Sequence, residues 1–350
     1  MGKRRRLPDE LGIFGVLLLV AAIMTLLSPE FMTLGNIQVL MLNGTVVAFL
    51  ALGQTFVLLT GGIDLSVGSN IALSGMMAAL AMRAGASWWV AALVALGAGL
   101  VVGLINGAII HLVKLPPFIV TFSTFGIAAS IPKILTGAQS ITVADPMFAV
   151  IGRGSLCGVP IPVILLTIFA AIFIVILKQT PTGVHIYAVG GNQDASRLAG
   201  VTIGRQILTV YAISGLCAGM GGIITTSLLM VGYPTAGSGN EQFYSIASAV
   251  VGGVSLFGGV GSILGALIGA ILIATVSNGM NVVGVDSFWQ PLVIGVIILV
   301  GVSLDAARRR FTFKEAIGRF LKSDRTQGGG APPPSAEPHP QPEIASGNTK

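Results

Sequence analysis

Charge is the scarcest property of this sequence. Only 9% of its 350 residues are Asp, Glu, Lys or Arg, against about 25% in a soluble domain. A water-facing surface cannot be built from so few charged groups. Cysteine is almost absent too: Cys157 and Cys217 lie far apart with no CxxC spacing and no histidine beside them, which excludes a disulfide framework and a zinc site. No GxxxxGK[ST] loop occurs to cradle phosphates, and "GGVGSILG" lacks the spacing of a dinucleotide fingerprint. With no GxSxG, HExxH or His–Cys cluster either, no catalytic residue, metal ligand or cofactor is assigned.

What the chain has instead is apolar length. Hydrophobic residues make up 53% of it, with 48 glycines, and "WWVAALVALGAGLVVGLINGAII" (Trp88 to Ile110) carries no charge, matching the roughly 20 apolar residues that cross a bilayer. Breaks at Pro, Gly or charge divide the chain into ten spans, at 11–28, 38–60, 67–84, 88–111, 117–136, 160–178, 207–231, 243–257, 263–281 and 288–305. The expected fold is an all-α polytopic membrane protein. The start, "MGKRRRLPDELGIFGVLLLVAAIMTLLSPEF", resembles a signal peptide but ends Leu26-Leu27-Ser28-Pro29 without a small-x-small cleavage site, so it reads as a retained first span.

The net charge of +6 does not point to nucleic acid, because the basic residues flank apolar runs. With both termini inside, all of the 19 Lys and Arg except Arg83, Lys133 and Arg153 fall on the inner side, the bias that orients membrane proteins. The expected organisation is a cytoplasmic basic segment (1–10), a transmembrane domain (11–307), a second basic segment (308–325) and a Pro-rich tail (326–350). The tail reads as disordered, having too few apolar side chains to offset the entropy of ordering. Two glycine ladders, Gly99-Gly103-Gly107 and Gly261-Gly265-Gly269, place small residues on one helix face and favour close helix packing.

One stretch occurs twice. "GGIDLSVGS" (Gly61 to Ser69) and "GGVSLFGGVGS" (Gly252 to Ser262) share GG-x-x-L and VGS, with two extra residues in the second copy. Two readings stand: chance likeness of glycine-rich segments, or an internal repeat whose broken helices approach a translocation path. The candidate residues are Gly61, Gly62, Asp64 and Ser66, and Gly252, Gly253 and Ser255. Asp64 is the one acid near membrane depth. Either it or Ser66 caps the N–H groups opening the next helix, or Asp64 lines the path.

The longest polar inner loop runs from Lys178 to Gln206. In its centre Asn192 precedes Gln-Asp-Ala-Ser-Arg-Leu-Ala and then Gly200, a capped helix of about two turns stopped by glycine. Taken alone this is a solvated connector, or the handle of a cytosolic motor.

Its sequence, "YAVGGNQDASRLAGV", resembles the cytoplasmic signature of permease subunits in ribose-type ABC importers, within the branched-chain amino acid/ribose permease superfamily. The pattern Ala-x-Gly-x-Asn, then Ala-x-Arg-x-x-Gly, is matched by Ala188, Gly190, Asn192, Ala195, Arg197 and Gly200. The resemblance continues in "TGGIDLSVGS", "PPFIVTF", "LTGAQSI", "AVVGGVSLFGGVGSILGALIGA" and "NGMNVVGVDSFWQPLVIGVIIL". Members often carry Arg-Gly where this chain has Ala129-Ser130, with Lys133 a turn on, a departure that bears on substrate preference.

The resemblance implies a permease homodimer in the bacterial inner membrane, a cytosolic ATP-binding subunit, and a periplasmic or lipid-anchored sugar-binding protein. It gives the ATPase-coupling role to Ala188, Gly190, Asn192, Asp194, Ala195, Arg197, Gly200 and Arg205, and it implies monosaccharide import by alternating access. The alternative is a stand-alone secondary carrier or channel for small polar solutes, although a proton-driven carrier usually needs a relay of buried ionisable groups, and this chain offers only Asp64 and His111.

Overall fold

In hydrocarbon a chain must satisfy its own backbone, which favours helices wherever the sequence stays apolar. The computed structural model describes residues 9–303, apart from Ser238, together with Asp305 and Ala306. The basic segment 308–325 and the tail 326–350 lie outside the described residues.

The helices are α1 (Asp9–Leu27), α2 (Leu34–Leu59), α3 (Val67–Arg83), α4 (Trp88–Leu112), α5 (Pro117–Thr136), α6 (Pro146–Arg153), α7 (Ile161–Gln179), α8 (Pro181–Gly191), α9 (Gln193–Leu198), α10 (Ile203–Leu229), α11 (Glu241–Val251) and α12 (Ile263–Val282). A last helix, α13, covers Trp289–Ser303. Each of the ten expected spans overlaps a helix; among the described residues seven of these are long and apolar enough to cross a membrane, and α3, α11 and α13 are shorter. The chain is an all-α polytopic membrane protein.

Local chemistry sets the helix ends. Proline opens α5, α6 and α8, where its missing N–H has no intrahelical partner to lose. Asp145 caps α6 by accepting from the Met147 and Phe148 amides, and Gly137, in the left-handed region, closes α5.

Burial sorts the helices into centre and rim. In the most apolar window of α2, 72% of residues are buried inside the protein, but only 6% in α1. The centre is therefore α2 with α10 and α12, both 67% buried, and α1 leaves all its leucines but Leu17 exposed at the rim. The first glycine ladder fits α4 onto α10. A methyl on Gly99 would strike the Gly215 carbonyl, one on Gly103 the Tyr211 carbonyl, and one on Gly215 the Gly99 carbonyl. In the second ladder Gly265 lies against the Gly252 carbonyl and Gly269 against that of Ser248, so α12 packs directly on α11. These contacts replace the side-chain burial that drives packing in water.

The segment expected as a span at 243–257 differs. Its helix, α11, has only 11 residues, about 16 Å of rise against a hydrocarbon core of about 30 Å. Before it, Val231 to Gly237 runs without helix along α3, with Gly232 against Ala79 and Gly237 against Gly68 and Ile71. Pro234 and the glycines deny this stretch a helix. Non-helical backbone is tolerated there because it is packed against protein. At its start Val231–Gly232 forms a two-residue antiparallel ladder with Ile141–Thr142.

Candidate coupling and helix-break site

The first break lies between α2 and α3. Gly61 turns with φ +78°; its N–H donates to the Leu58 carbonyl at 2.8 Å, and the Gly62 N–H to that of Val57 at 3.1 Å, which satisfies the last carbonyls of α2. Gly62 lies against the Tyr211 hydroxyl, where a Cβ would come within 2.6 Å.

Asp64 then turns the chain into α3. Its Oδ1 accepts from the Ser66 amide at 2.9 Å and the Ser66 hydroxyl at 2.6 Å, and its Oδ2 accepts from the Ser214 hydroxyl of α10 at 2.7 Å. The residue is 1% exposed. Asn106 of α4 donates to the Ser66 hydroxyl at 2.9 Å, and Thr121 of α5 donates to the Ile63 carbonyl at 3.1 Å. Gln54 of α2 clamps the Asp64 backbone, its Nε2 3.1 Å from the carbonyl and its Oε1 3.2 Å from the amide. The break is thus held from four helices: Gln54 and Thr121 meet its backbone, and Ser214 and Asn106 its Asp64 and Ser66 side chains. These contacts engage both carboxylate oxygens of Asp64.

The second break repeats the turn in altered form. Gly253, with φ +86°, takes the left-handed position; its N–H donates to the Val250 carbonyl and the Val254 N–H to that of Ala249, both at 2.9 Å. Ser255 aligns with Asp64 and accepts from the amide two residues on, that of Phe257, at 3.3 Å, as Asp64 does from Ser66. The two extra residues leave Ser262 outside the helix. It caps α12 by accepting from the Gly265 amide at 3.0 Å, whereas its counterpart Ser69 lies inside the first turn of α3.

The loop after α7 holds two helices, not one. α8 was not expected, because "PTGVHIYAVGG" falls inside the polar loop from Lys178 to Gln206. α9 is where its cap places it: the Asn192 side chain accepts from the Ala195 amide at 2.9 Å, and Gly200, with φ +83°, ends it. Throughout α9 only Ser196 is buried. Asp194 and Arg197 lie on the surface 3.9 Å apart, a geometry worth about 0–1 kcal/mol, so neither is committed to the other. Leu198, not singled out in the sequence, is 90% exposed.

α8 brings this loop to both breaks. A Cβ on Gly190 would collide with the Leu59 carbonyl and come within 2.6 Å of the Gly259 amide. Gly258 approaches both Gly190 and the Gly61 amide, and Tyr187 donates its hydroxyl to the Gly261 carbonyl at 2.8 Å. Of the signature residues, Gly190 sits at this junction, Ala188 and Arg205 are exposed away from it, and Asn192, Asp194, Ala195, Arg197 and Gly200 build or end α9. Beside α9 a cleft of about 710 Å³ is lined by Thr60, His111, Lys114, Arg197 and Tyr211, joining the first break to the loop. Among the described residues no cluster of His, Cys, Asp or Glu could hold a metal.

The structure is a multi-pass helical bundle with broken helices meeting at a surface loop, and comparison with known proteins places it among membrane permeases. The family described as "Branched-chain amino acid transport system / permease component" matches residues 36–302, and the chain belongs to that family. It is 38% identical over 299 residues to the D-allose transport system permease protein AlsC of Escherichia coli K12, covering 85% of this chain and 91% of that one. It is 39% identical to the ribose import permease protein RbsC of Bacillus subtilis, over 85% of this chain and 92% of the other. The L-arabinose ABC transporter permease protein AraH of Azospirillum brasilense is 34% identical over 304 residues, with 87% and 89% covered. The resemblance to ribose-type permeases thus holds along most of the chain. No solved structure matches it.

Proposed function

We propose that this chain is the membrane-spanning subunit of an ATP-driven importer that carries a monosaccharide, ribose-like or related, across the bacterial inner membrane. The named substrates of its relatives, ribose, allose and arabinose, support the sugar class. The observation that carries the reading is the seat of Gly190, which leaves no room for a side chain between the two breaks.

In this reading the breaks, α8 and α9 face the cytoplasm, as do both termini. A cytosolic ATP-binding subunit docks on α9, whose exposed Asp194, Arg197 and Leu198 offer charge and an apolar tip on a helix held by little else. Closure of the motor displaces α9, and α8 passes that displacement to both breaks through Gly190 and Tyr187. Two copies of the chain enclose the sugar path. A sugar-binding protein delivers the sugar from the other side, so selection need not reside in the permease, and differential affinity across conformations couples ligand to motion. Asp64, with both oxygens engaged, holds the turn of its break through Ser66 and Ser214; contrary to the expected cap, neither it nor Ser66 accepts from an N–H group of α3.

Purification of the tagged chain from its native membrane in mild detergent tests this. A co-purifying protein with two phosphate-binding loops, and uptake that requires ATP, are the expected results. The permease alone, with uptake that follows an ion gradient, would replace the importer by a secondary carrier.

A further inference from the structure

We propose that Asp305 is the carboxylate of the second break, supplied from beyond α13 because Ser255 stands where the first break has Asp64. Ser255 is 2% exposed, and its hydroxyl donates to Asp305 Oδ2 at 2.8 Å while accepting from the Phe257 amide. Hydroxyl and carboxylate have exchanged places. In the first break the carboxylate belongs to the turn and Ser214 comes from another helix; in the second the hydroxyl belongs to the turn and the acid arrives after α13.

A second acid acts on the same break from the other end of the chain. The Ser262 hydroxyl, which caps α12, donates to Glu10 Oε1 at 2.9 Å. Asp64 is sealed among serines, whereas Glu10 and Asp305 are only partly buried. The geometry makes Asp305 a positioning residue: it holds the Ser255 turn, and so the strand of backbone from which Gly259 reaches Leu59 and on which α8 rests.

The full-length permease in lipid nanodiscs tests this first by hydrogen exchange, which needs no partner. Asp305→Ala should speed exchange of amides 254–265 by about tenfold or more, as expected for loss of a hydrogen bond to a charged group, and leave 60–67 unchanged. Asp305→Asn, which can still accept from Ser255, should exchange as slowly as wild type. The double exchange Ser255→Asp with Asp305→Ser restores donor and acceptor across the same gap and should recover slow exchange that each single variant loses.

A second measurement rests on the importer reading: sugar carried per ATP hydrolysed by the assembled complex, normalised to the amount assembled. It should fall about fivefold or more in Asp305→Ala and return in the double variant. Unchanged exchange in Asp305→Ala, or a double variant no better than its singles, would overturn the proposal. Altered exchange with no ATP-dependent uptake by the wild-type complex would instead overturn the importer reading and leave the assignment of Asp305 standing.

Discussion

Gly259 donates its backbone N–H to the carbonyl of Leu59 at 2.9 Å, a hydrogen bond that ties the second break to the end of the helix preceding the first. Gly190 lies against both of these atoms. The two breaks therefore form one junction, although the sequence holds them far apart.

That junction tolerates no side chain. Gly190→Ala should destabilise the chain by about 1–3 kcal/mol, the usual cost of overpacking, and should abolish most uptake. Gly191→Ala is the control, since nothing lies within 4 Å of its Cβ position. It should keep wild-type melting temperature and transport. Thermal unfolding in detergent and an uptake assay on both variants check the pair.

The first glycine ladder makes a similar contrast within one helix. Gly103→Ala drives a methyl into the Tyr211 carbonyl, whereas Gly97→Ala meets open space. The first should lower the yield of folded protein and its melting temperature; the second should leave both unchanged.

Asp64→Asn keeps an oxygen able to accept from the Ser66 amide and hydroxyl, and its amide can donate to Ser214. Near-normal uptake is expected if Asp64 holds the turn of its break. Asp64→Ala strands the donors of Ser66 and Ser214 inside the protein, at about 1–3 kcal/mol for each unsatisfied group, and should fail to accumulate. Lost uptake by a well-folded Asp64→Asn would show that the charge itself is used.

Arg197→Glu reverses charge on the exposed face of α9 without touching a buried contact. The permease should fold normally, while sugar-stimulated ATP hydrolysis falls about tenfold or more, as loss of a charged contact at an interface implies. Normal stimulation in the reconstituted complex would count against docking at α9.

The helices of the bundle were legible because apolar length, proline and glycine are local signals, and so was α9, whose Asn192 cap and Gly200 stop lie within one short stretch. The shortness of α11 was harder to see. Its apolar run continues past Val251, and only the Gly252–Gly253 pair marks the end. Gln54, Asn106 and Ser214 stand as polar residues inside apolar spans, but that they meet the Asp64 backbone, the Ser66 hydroxyl and the Asp64 carboxylate respectively depends on how their three helices pack. Asp305 and Glu10 left no such trace: each lies at a span end, where acids are common, and each acts on a serine across a long stretch of chain.

The seam between α4 and α10 has a kinematic meaning. Helices that slide past one another do so by switching side-chain rotamers, the small adjustments that lubricate a shear motion. Where Gly99 and Gly103 meet Gly215 and the Tyr211 carbonyl there are no rotamers to switch. Because the glycines recur about once per turn, a shift of less than a turn would bring the side chains between them against backbone. The seam therefore resists gradual sliding, so that a tilt of α4 carries α10 with it.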